Sequence, residues 1–220
     1  MLSQSWVHLI LHWTDMGSKL KNRVAIIGEG ITEKHFLQSL RDDYPYVKSA
    51  DFVELEHANN MTELEKRIED AAQMGYAKVF CMIDMDNKNE GIEREKYLSL
   101  KRKYAKPIIK KRKGIECEVR FYETDRCTEQ FFLYYFSSTS KAFQSYEELE
   151  RELHQFCEYE KREKFFVRHP LHVYFTSKGG SLDNAIKNAK ASMVAVGNGE
   201  RNYSYSELGK MIEDLKECIK

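Results

Sequence analysis

"VAIIGEGITEKHF", residues 24–36, is an apolar run followed by a glutamate between two glycines and then by a helix-like segment. Four consecutive apolar residues, Val24 to Ile27, favour a strand that is covered on both faces, as in a parallel sheet. Thr32 offers an N-cap, and apolar residues then follow on one helical face at Phe36, Leu37 and Leu40. The segment therefore predicts a strand-turn-helix unit of the kind that builds open α/β sheets.

The glutamate between the glycines, Glu29, is the unusual feature of this turn. A turn that binds phosphate offers backbone N–H groups and the positive end of a helix to an anion. A carboxylate in the same place would repel that anion. Glu29 is therefore a candidate functional residue, and the turn is expected to bind something other than a phosphate alone.

Two further strands and a helix extend the same pattern. Residues 51–55 ("DFVEL") predict a second strand, and residues 78–84 ("KVFCMID") predict a third strand of the buried type. Between them, residues 61–75 predict a helix that is closed by Gly75. The order β-α-β-α-β predicts a right-handed, mostly parallel α/β sheet flanked by helices.

The rest of the chain predicts fewer strands and more helices. Residues 89–105 favour a charged helix, and residues 115–123 ("IECEVRFYE") alternate well enough to form a fourth strand. Helices are then expected at residues 128–136, 145–163, 181–196 and 204–219, with a short strand at 171–175 ("LHVYF"). This pattern predicts an N-terminal extension (1–22), an α/β core (23–126) and a helical elaboration packed on the core (127–220).

The composition is that of a globular domain without a strong overall charge. Lysine plus arginine and aspartate plus glutamate each number 35 in 220 residues, so no global field attracts nucleic acid or a membrane. The five cysteines include no CxxC pair, which favours free thiols in a reducing cytoplasm. The apolar stretch "SWVHLILHW" is too short for a membrane span and lacks signal-peptide features, and Met16 is an alternative start.

A second acidic motif, Asp84-Met85-Asp86, ends the third predicted strand. Side chains two residues apart on an extended chain point the same way, so both carboxylates can reach one site. If the first and third strands are neighbours, Glu29 joins them at the carboxyl edge of the sheet, where open α/β sheets bind ligands. Three carboxylates repel one another, and a hard divalent cation such as Mg²⁺ would resolve that repulsion.

Each motif also has an ordinary structural explanation. A glycine-flanked residue after a strand commonly marks a tight turn, and an Asp-x-Asp at a strand end is commonly a turn or a cap. Their joint appearance, each directly after a buried strand, favours one shared metal site over two unrelated turns. The glycines beside Glu29 would then allow a substrate backbone to approach closely.

These motifs resemble those of the toprim domain, the catalytic fold of topoisomerases, primases and nucleases of the OLD type. The variant "GEGITEKHF" (28–36), with "TEQFFLYYF" (128–136) and "NYSYSELGKMIEDL" (202–215), is most similar to the RloB-like group of toprim proteins. The likeness covers residues 23–218. It implies a toprim-type α/β fold and a Mg²⁺-dependent nuclease in which Mn²⁺ can replace Mg²⁺. It also implies a role in bacterial phage defence beside a separate ATPase.

The resemblance assigns roles to the acidic residues of both motifs. Glu29 matches the toprim glutamate, which is expected to act as general acid/base or to help hold the ion. Asp84 and Asp86 match the metal-binding aspartates.

Two further glutamates match family positions. Glu33 matches the second glutamate of the first motif and is a candidate ligand, although a favourable charge at a helix N-terminus explains it equally well. Glu129 matches another candidate ligand position. At Glu129 the family usually has a preceding aromatic residue, whereas Cys127 and Thr128 stand there in this chain.

A local basic run contrasts with the neutral net charge. Residues 101–113 ("KRKYAKPIIKKRK") hold eight lysines or arginines, and they follow Asp86 closely enough in sequence to flank the same crevice. Such a run is either a solvated face or a surface that contacts the phosphates of DNA or RNA. The candidate contacts are Lys110, Lys111, Arg112 and Lys113, with Lys178, beside a Gly-Gly turn, as a further candidate.

Two classes of function agree with these features. The first is a metal-dependent endonuclease that works in the cytoplasm with an ATPase subunit. The second is a non-cleaving toprim module that binds or senses nucleic acid or docks on an ATPase. Either could form a homo-oligomer, and neither requires a membrane. The presence of Glu29, Asp84 and Asp86 favours the first class, since an adaptor has no need of them.

Overall fold

The computed structural model describes residues 23–55, 60–86, 88–139, 141–197 and 204–218. Its strands are β1 (Val24–Gly28), β2 (Ala50–Glu54), β3 (Lys78–Asp84), β4 (Ile108–Lys110) and β5 (Ile115–Thr124). They form one sheet in the order β2-β1-β3-β5-β4. All pairs are parallel except β4, which pairs antiparallel with the start of β5. The prediction of a mostly parallel α/β sheet is confirmed.

The strand order places the ends of β1 and β3 side by side. Val24 pairs with Lys78 and Ile27 pairs with Cys81, so both strands finish at the same edge of the sheet. On the other side of β3, Asp84 pairs with Thr124 at the end of β5. The apolar residues of β1 and β3 are buried, as expected for strands that are covered on both faces.

Helices flank both faces of the sheet. Within the described residues they are α1 (Ile31–Leu40), α2 (Met61–Met74), α3 (Gly91–Lys103), α4 (Glu129–Leu133), α5 (Tyr146–Leu153), α6 (Glu163–Arg168), α7 (Leu171–Ser177), α8 (Leu182–Gly197) and α9 (Leu208–Glu217). Local signals set the ends of α2, because the Asn60 side chain accepts from two backbone N–H groups at its start. Gly75 closes α2 in the left-handed conformation, with a φ of 99°, as predicted.

Two apolar layers hold these helices to the sheet. One layer packs α2 and α3 against one face. The other is a single buried cluster that joins Phe36 of α1 to Phe132 of α4, Phe175 of α7 and Met211 of α9. The ring of Phe132 lies 5.2 Å from that of Phe36 and 5.1 Å from that of Phe175, between ring centres. The C-terminal helices therefore share their core with the first strand-turn-helix unit.

Residues 171–175 form part of helix α7, so the prediction of a short strand there is wrong. Leu171 and Phe175 are both fully buried, and α7 packs against α1. Residues four apart lie on one face of a helix, whereas on a strand an interval of two shares a face. Packing against α1 thus overrides the strand-like composition of this segment.

Two other element boundaries differ from the prediction. The single helix expected over 145–163 is α5, which ends at Leu153, and α6, which begins at Glu163. A short strand that the sequence does not predict, β4, lies inside the basic run and pairs with β5. The predictions for residues 1–22, including Met16 as a start, lie outside the described residues.

The chemistry of the cysteines agrees with the prediction, because all five are free thiols. Four of them are buried, and Cys218 is partly buried. Among the helices that the structure describes, none has the length and apolar character needed to cross a membrane.

Candidate active site at the carboxyl edge of the sheet

A cavity of about 630 Å³ opens where β1, β3 and β5 end. This is the edge at which open parallel sheets bind ligands. Its charged lining residues are Glu29, Glu33, Asp84, Asp86, Arg126, Glu147 and Lys161. The first four are here called the cavity carboxylates. Four of the five carboxylates predicted as ligands therefore meet around one cavity.

Glu29 forms a buried ion pair with Lys88. The Lys88 ammonium lies 2.9 Å from Glu29 Oε1 and donates to the carbonyl oxygen of Asp84 at 2.6 Å. The side chains of Lys88 and Glu29 are only 2% and 8% exposed. The turn after β3 fixes Lys88, whose backbone N–H donates to the carbonyl oxygen of Met85. Glu29 is therefore held as a carboxylate beside a cation that the chain itself supplies.

Thr128 connects Glu33 with Asp84. Its hydroxyl oxygen lies 2.6 Å from Glu33 Oε1 and 3.2 Å from Asp84 Oδ1. A hydroxyl group has one proton to donate, so it can satisfy only one of two ionised carboxylates. The shorter contact is the one to Glu33, so the Thr128 hydroxyl is directed mainly at that carboxyl group.

Burial raises the pKa of both of these carboxyl groups. The pKa of Glu33 rises to about 7 through burial, with the Glu129 carboxylate adding to the rise and the hydrogen bond from Thr128 opposing it. The pKa of Asp84 is raised well above its ordinary value by burial, and repulsion from Glu33 and Glu29 adds to the effect. Ionisation of both groups is therefore unfavourable by itself, and a bound cation would stabilise the ionised forms.

The turn after β5 brings Arg126 to the cavity beside Asp86. The backbone N–H of Asp86 donates to the carbonyl oxygen of Arg126 at 3.2 Å, and Arg126 Nε donates to the carbonyl oxygen of Phe143. Arg126 has a φ of 61°, the only positive φ of a non-glycine residue in the described part of the chain. This conformation costs an L-residue about 1–2 kcal/mol, and such strain is often kept at functional sites.

Glu129 is not among the residues that line the cavity. Its fully buried carboxylate accepts from the Tyr159 hydroxyl at 2.8 Å and lies 3.1 Å from the Lys161 ammonium. Burial is the largest single influence on the pKa of Lys161 and would lower it, but the combined attraction of Glu129, Asp84 and Glu33 raises that pKa above its ordinary value. The Lys161 side chain is 42% exposed and does line the cavity. Glu129 therefore anchors a cavity cation rather than facing the cavity itself.

The cavity carboxylates do not converge on one point as predicted. Among the residues that the structure describes, no three histidine, cysteine, aspartate or glutamate side chains are grouped so that they could hold a metal ion. Two of them contact different donors, Glu29 the Lys88 ammonium and Asp84 the Thr128 hydroxyl.

The donor chemistry of the cavity nevertheless fits a hard divalent cation. All the cavity carboxylates offer oxygen ligands, which Mg²⁺ and Mn²⁺ prefer. Mg²⁺ usually keeps several waters and takes only one or two carboxylates, so it does not need a preformed cluster of three. Burial raises the pKa of the Cys127 thiol, which also lines the cavity, and a protonated thiol is a poor ligand.

Gly28, the glycine before Glu29, serves the packing of the strand against its neighbours. A Cβ at Gly28 would lie 2.8 Å from the Phe52 ring and 3.1 Å from Cβ of Glu33. The residue is buried at the end of β1. Gly28 is thus required by an internal contact that brings Glu33 close to the strand, and the prediction that it admits a substrate backbone is wrong.

One protein-family profile matches nearly all of the chain that the structure describes. The profile of the RloB-like protein family matches residues 24–215, which include every lining residue of the cavity. The chain belongs to the RloB-like family. The RloB-like resemblance of the sequence is thereby confirmed. A search of curated proteins and a search of solved structures returned no match.

In this RloB-like protein, the basic candidates at 110–113 lie away from the cavity. Lys110 ends β4, and Lys111–Lys113 form a 3₁₀ turn directly before β5. β5 then runs for 10 residues to Thr124, which corresponds to about 30 Å at the usual rise of a strand. Lys110 is also paired with Glu69, at 2.7 Å between Nζ and Oε2. The expectation that these residues flank the crevice is wrong.

Lys178 is not a lining residue of the cavity either. It caps the C-terminal end of α7, and its ammonium lies 5.5 Å from the centre of the Tyr174 ring. The following Gly180 is tightly packed, because a Cβ there would lie 2.9 Å from the Phe136 ring. Ser181 Oγ accepts from the backbone N–H of Asn184 at the start of α8.

Four residues of the RloB-like site were not predicted from the sequence: Lys88, Arg126, Thr128 and Lys161. Two of them carried a usable signal, because Lys88 follows the DMD motif by two positions and Thr128 precedes Glu129 directly. Arg126 and Lys161 had none, since nothing local marks the end of β5 or the loop before α6 as part of the same cavity as Glu29.

Proposed function

We propose that this RloB-like protein is a Mg²⁺-dependent nuclease that hydrolyses phosphodiester bonds of nucleic acid, as the effector of an anti-phage system that includes an ATPase. The observation that carries the proposal is the meeting of the four cavity carboxylates with Arg126 and Lys161 around one cavity. Carboxylates suit a divalent cation, and the two cations suit a phosphate, so a metal-assisted hydrolysis finds both kinds of ligand in one place. The toprim-like and RloB-like motifs point to the same chemistry.

Asp84 and Glu29 are the proposed primary ligands of the ion, because they follow the two central strands at the cavity. Asp86 is more exposed and lies on the same wall. Mg²⁺ or Mn²⁺ bound there would polarise a phosphoryl oxygen and make a bound water more acidic. Thr128 is a positioning residue, since its hydroxyl fixes the direction of the Asp84 carboxylate.

Hydrolysis joins the oxygen of a water molecule to phosphorus and breaks the bond from phosphorus to the leaving oxygen. The water loses one proton, and the leaving oxygen gains one. Glu29 lines the cavity beside the proposed ion and is the candidate to accept the proton of the water. Glu33 has a pKa raised to about 7, so it can carry a proton near neutral pH and give it to the leaving oxygen.

Arg126 and Lys161 are the proposed contacts of the substrate phosphate. Both line the cavity, whereas the run at 110–113 begins at the opposite end of β5. Arg126 is fixed by its own backbone turn and by its bond to Phe143 O, which reduces the entropy lost when it binds an anion. Lys161 is held over the cavity by Glu129.

Cleavage of labelled DNA and RNA, single-stranded and double-stranded, tests the proposal. The protein should cut at least one of them in Mg²⁺ or Mn²⁺ and not in EDTA, alone or with an ATPase encoded beside it. Glu29→Gln keeps the size of the side chain and should lower the rate by about 10²–10⁴-fold while affinity for nucleic acid falls much less. A wild-type protein that cuts none of these substrates, even with the ATPase present, would contradict the proposal.

The salt dependence of nucleic-acid binding tests where the substrate lies. Replacing Arg126 and Lys161 by glutamine should weaken binding similarly for all sequences. Each lost phosphate contact should reduce the slope of log affinity against log salt concentration by about 0.7–0.9. Binding is measured by fluorescence anisotropy in Ca²⁺ or with the Glu29→Gln background, so that no substrate is consumed.

The matched control replaces the four basic residues at 110–113 by glutamine, which removes twice as many charges far from the cavity. This control should keep the wild-type salt slope. Lys110 is paired with Glu69, and the other three residues precede β5, at the end of that strand farthest from the cavity. A flattened slope in the control, with none in the Arg126 and Lys161 variant, would place the substrate along the basic run instead.

The resting geometry favours a second candidate function, a non-cleaving module that binds nucleic acid or docks on an ATPase. Lys88 already compensates Glu29, and the described carboxylates stand apart rather than in a preformed metal cluster. An adaptor of this kind should bind nucleic acid equally in Mg²⁺ and EDTA and should lose nothing on Asp84→Asn. A nuclease should lose its cleavage on the same substitution.

A further inference from the structure

Lys88 is an almost fully buried charged side chain beside the cavity, and the nuclease proposal does not use it as a ligand. Only 1% of the residue is exposed, and it belongs to the largest fully buried side chains of the described chain. Its ammonium bridges Glu29 Oε1 and the carbonyl oxygen of Asp84, at 2.9 and 2.6 Å. It therefore lies between the ends of the two central strands, which is where the proposed ligands Glu29 and Asp84 are presented.

We propose that Lys88 is an internal counter-ion that occupies Glu29 in the metal-free protein and competes with the divalent cation for that carboxylate. The inference rests on the metal site of the proposed function. In this inference Lys88 lowers the affinity of the site for the ion. It also neutralises part of the carboxylate charge, which stabilises the folded protein when no metal is bound.

The physical reason begins with the cost of burying charge. An ammonium group is buried only at a large desolvation cost, which is offset when it is paired and hydrogen-bonded. Here the pairing also relieves the carboxylates, since Glu29 is one of the charges that repel Asp84. One ammonium group therefore neutralises part of a cluster that would otherwise repel itself across the cavity.

Competition follows from the position of the ammonium group. A divalent cation that binds Glu29 must either displace Lys88 from Oε1 or share that carboxylate with it, and the two positive charges repel each other. Each of them therefore weakens the binding of the other. By linkage, the two effects are equal in free energy. The amount by which loss of Lys88 strengthens metal binding equals the amount by which bound metal weakens the pairing of Lys88 with Glu29.

A purely structural role for Lys88 makes a different prediction. In that case its bond to the Asp84 carbonyl ties the turn after β3 to the strand, and its charge is incidental. Loss of Lys88 would then destabilise the protein by the same amount with and without metal. It would leave the metal affinity unchanged.

The test titrates Mg²⁺ alone into wild-type protein and Lys88→Met by calorimetry, and follows thermal unfolding in EDTA and in saturating Mg²⁺. Lys88→Met should bind Mg²⁺ at least about tenfold more tightly, because the repulsion between the ammonium and the ion is removed. It should melt at a lower temperature than wild type in EDTA. In saturating Mg²⁺ most of that difference should disappear.

Lys190→Met is the matched control, because Lys190 forms an ion pair with Glu213 at 2.5 Å between α8 and α9. This variant loses the same charge outside the cavity and should bind Mg²⁺ as wild type does. If Lys88→Met does not fold in EDTA, Lys88→Gln replaces it, since glutamine is neutral and can still donate to Asp84 O. The tighter binding is expected from Lys88→Gln as well.

The outcomes separate this inference from the proposed function. Equal Mg²⁺ affinity in wild type and Lys88→Met, with an equal loss of melting temperature in both conditions, overturns the role of Lys88 and leaves the metal site intact. Failure of both proteins to bind Mg²⁺ overturns the inference together with the metal site. Tighter binding in the variant supports the inference even when no nucleic acid is cut, because this test needs no substrate.

Discussion

Asp84→Asn is expected to lower metal-dependent cleavage by about a thousand-fold or more, since an anionic ligand of the ion is worth several kcal/mol. The same substitution should raise the melting temperature of the metal-free protein. Burial and repulsion from Glu33 and Glu29 hold the pKa of Asp84 well above its ordinary value, so its charged form is unfavourable in the fold. An amide of the same size removes that charge and can still form a hydrogen bond with the Thr128 hydroxyl.

Cleavage rates in Mg²⁺ and melting curves in EDTA check both halves of this expectation. Asp43→Asn is the control, because Asp43 is an exposed carboxylate near His172 and does not line the cavity. It should change neither quantity appreciably. An Asp84→Asn protein that cuts as fast as wild type would show that Asp84 is not a ligand, whatever its effect on melting.

The metal-free protein is expected to lose stability as the pH rises from about 5 to about 7.5, by on the order of 2–3 kcal/mol from Glu33 alone. The pKa of Glu33 is raised from 4.5 to about 7 in the folded protein. Between those values the folded state binds a proton that the unfolded state has released. The contribution is therefore fully present below about pH 4.5 and is lost as the pH rises through about 7.

Urea unfolding in EDTA at several pH values, on wild type and Glu33→Gln, isolates this contribution. Glutamine cannot titrate and still accepts from Thr128, so the variant should show a smaller loss than wild type, and the loss that remains comes from Asp84, whose pKa is also raised. The pKa values of His35 and His172 are lowered, mainly by burial, and these groups act in the opposite direction over the same range. They are present in both proteins and cancel in the difference. Parallel pH profiles for the two proteins would refute the assignment.

Local sequence patterns were sufficient for the four parallel strands of the sheet and for its first helices, but not for β4. The apolar run of β1, the Asn60 and Gly75 ends of α2 and the buried run of β3 each act over a few residues. The right-handed connection of parallel strands then leaves few ways to arrange them. Residues 171–175 show the limit, because their composition suits a strand while their contact with α1 requires a helix.

The same limit applies to the candidate site: its position could be predicted from the sequence, but the contacts of its side chains could not. Glu29, Asp84 and Asp86 could be placed at one edge because each follows a strand end, and the order of parallel strands brings such ends together. Their contacts could not be predicted. Lys88 meets Glu29 across 59 positions of sequence, and Thr128 meets Glu33 across 95.

The distribution of basic residues shows why proximity in sequence misleads. Residues 110–113 are close to the DMD motif along the chain, but they lie at the start of β5, which must run over its whole length to reach the cavity. Lys161 is 75 positions beyond Asp86 and yet shares its cavity, because the loop before α6 folds back over the turn after β5. Only the second of these arrangements puts cations beside the carboxylates.

By itself, the sequence determined the alternation of strands and helices and therefore the edge at which the acidic motifs end, because apolar periodicity and helix caps act between near neighbours. Only the tertiary structure decided what each acidic side chain meets. It pairs Glu29 with Lys88, joins Glu33 to Asp84 through Thr128, and turns Glu129 away from the cavity toward Tyr159 and Lys161. Those contacts depend on how separate elements pack, and burial among them sets the charge of each carboxylate.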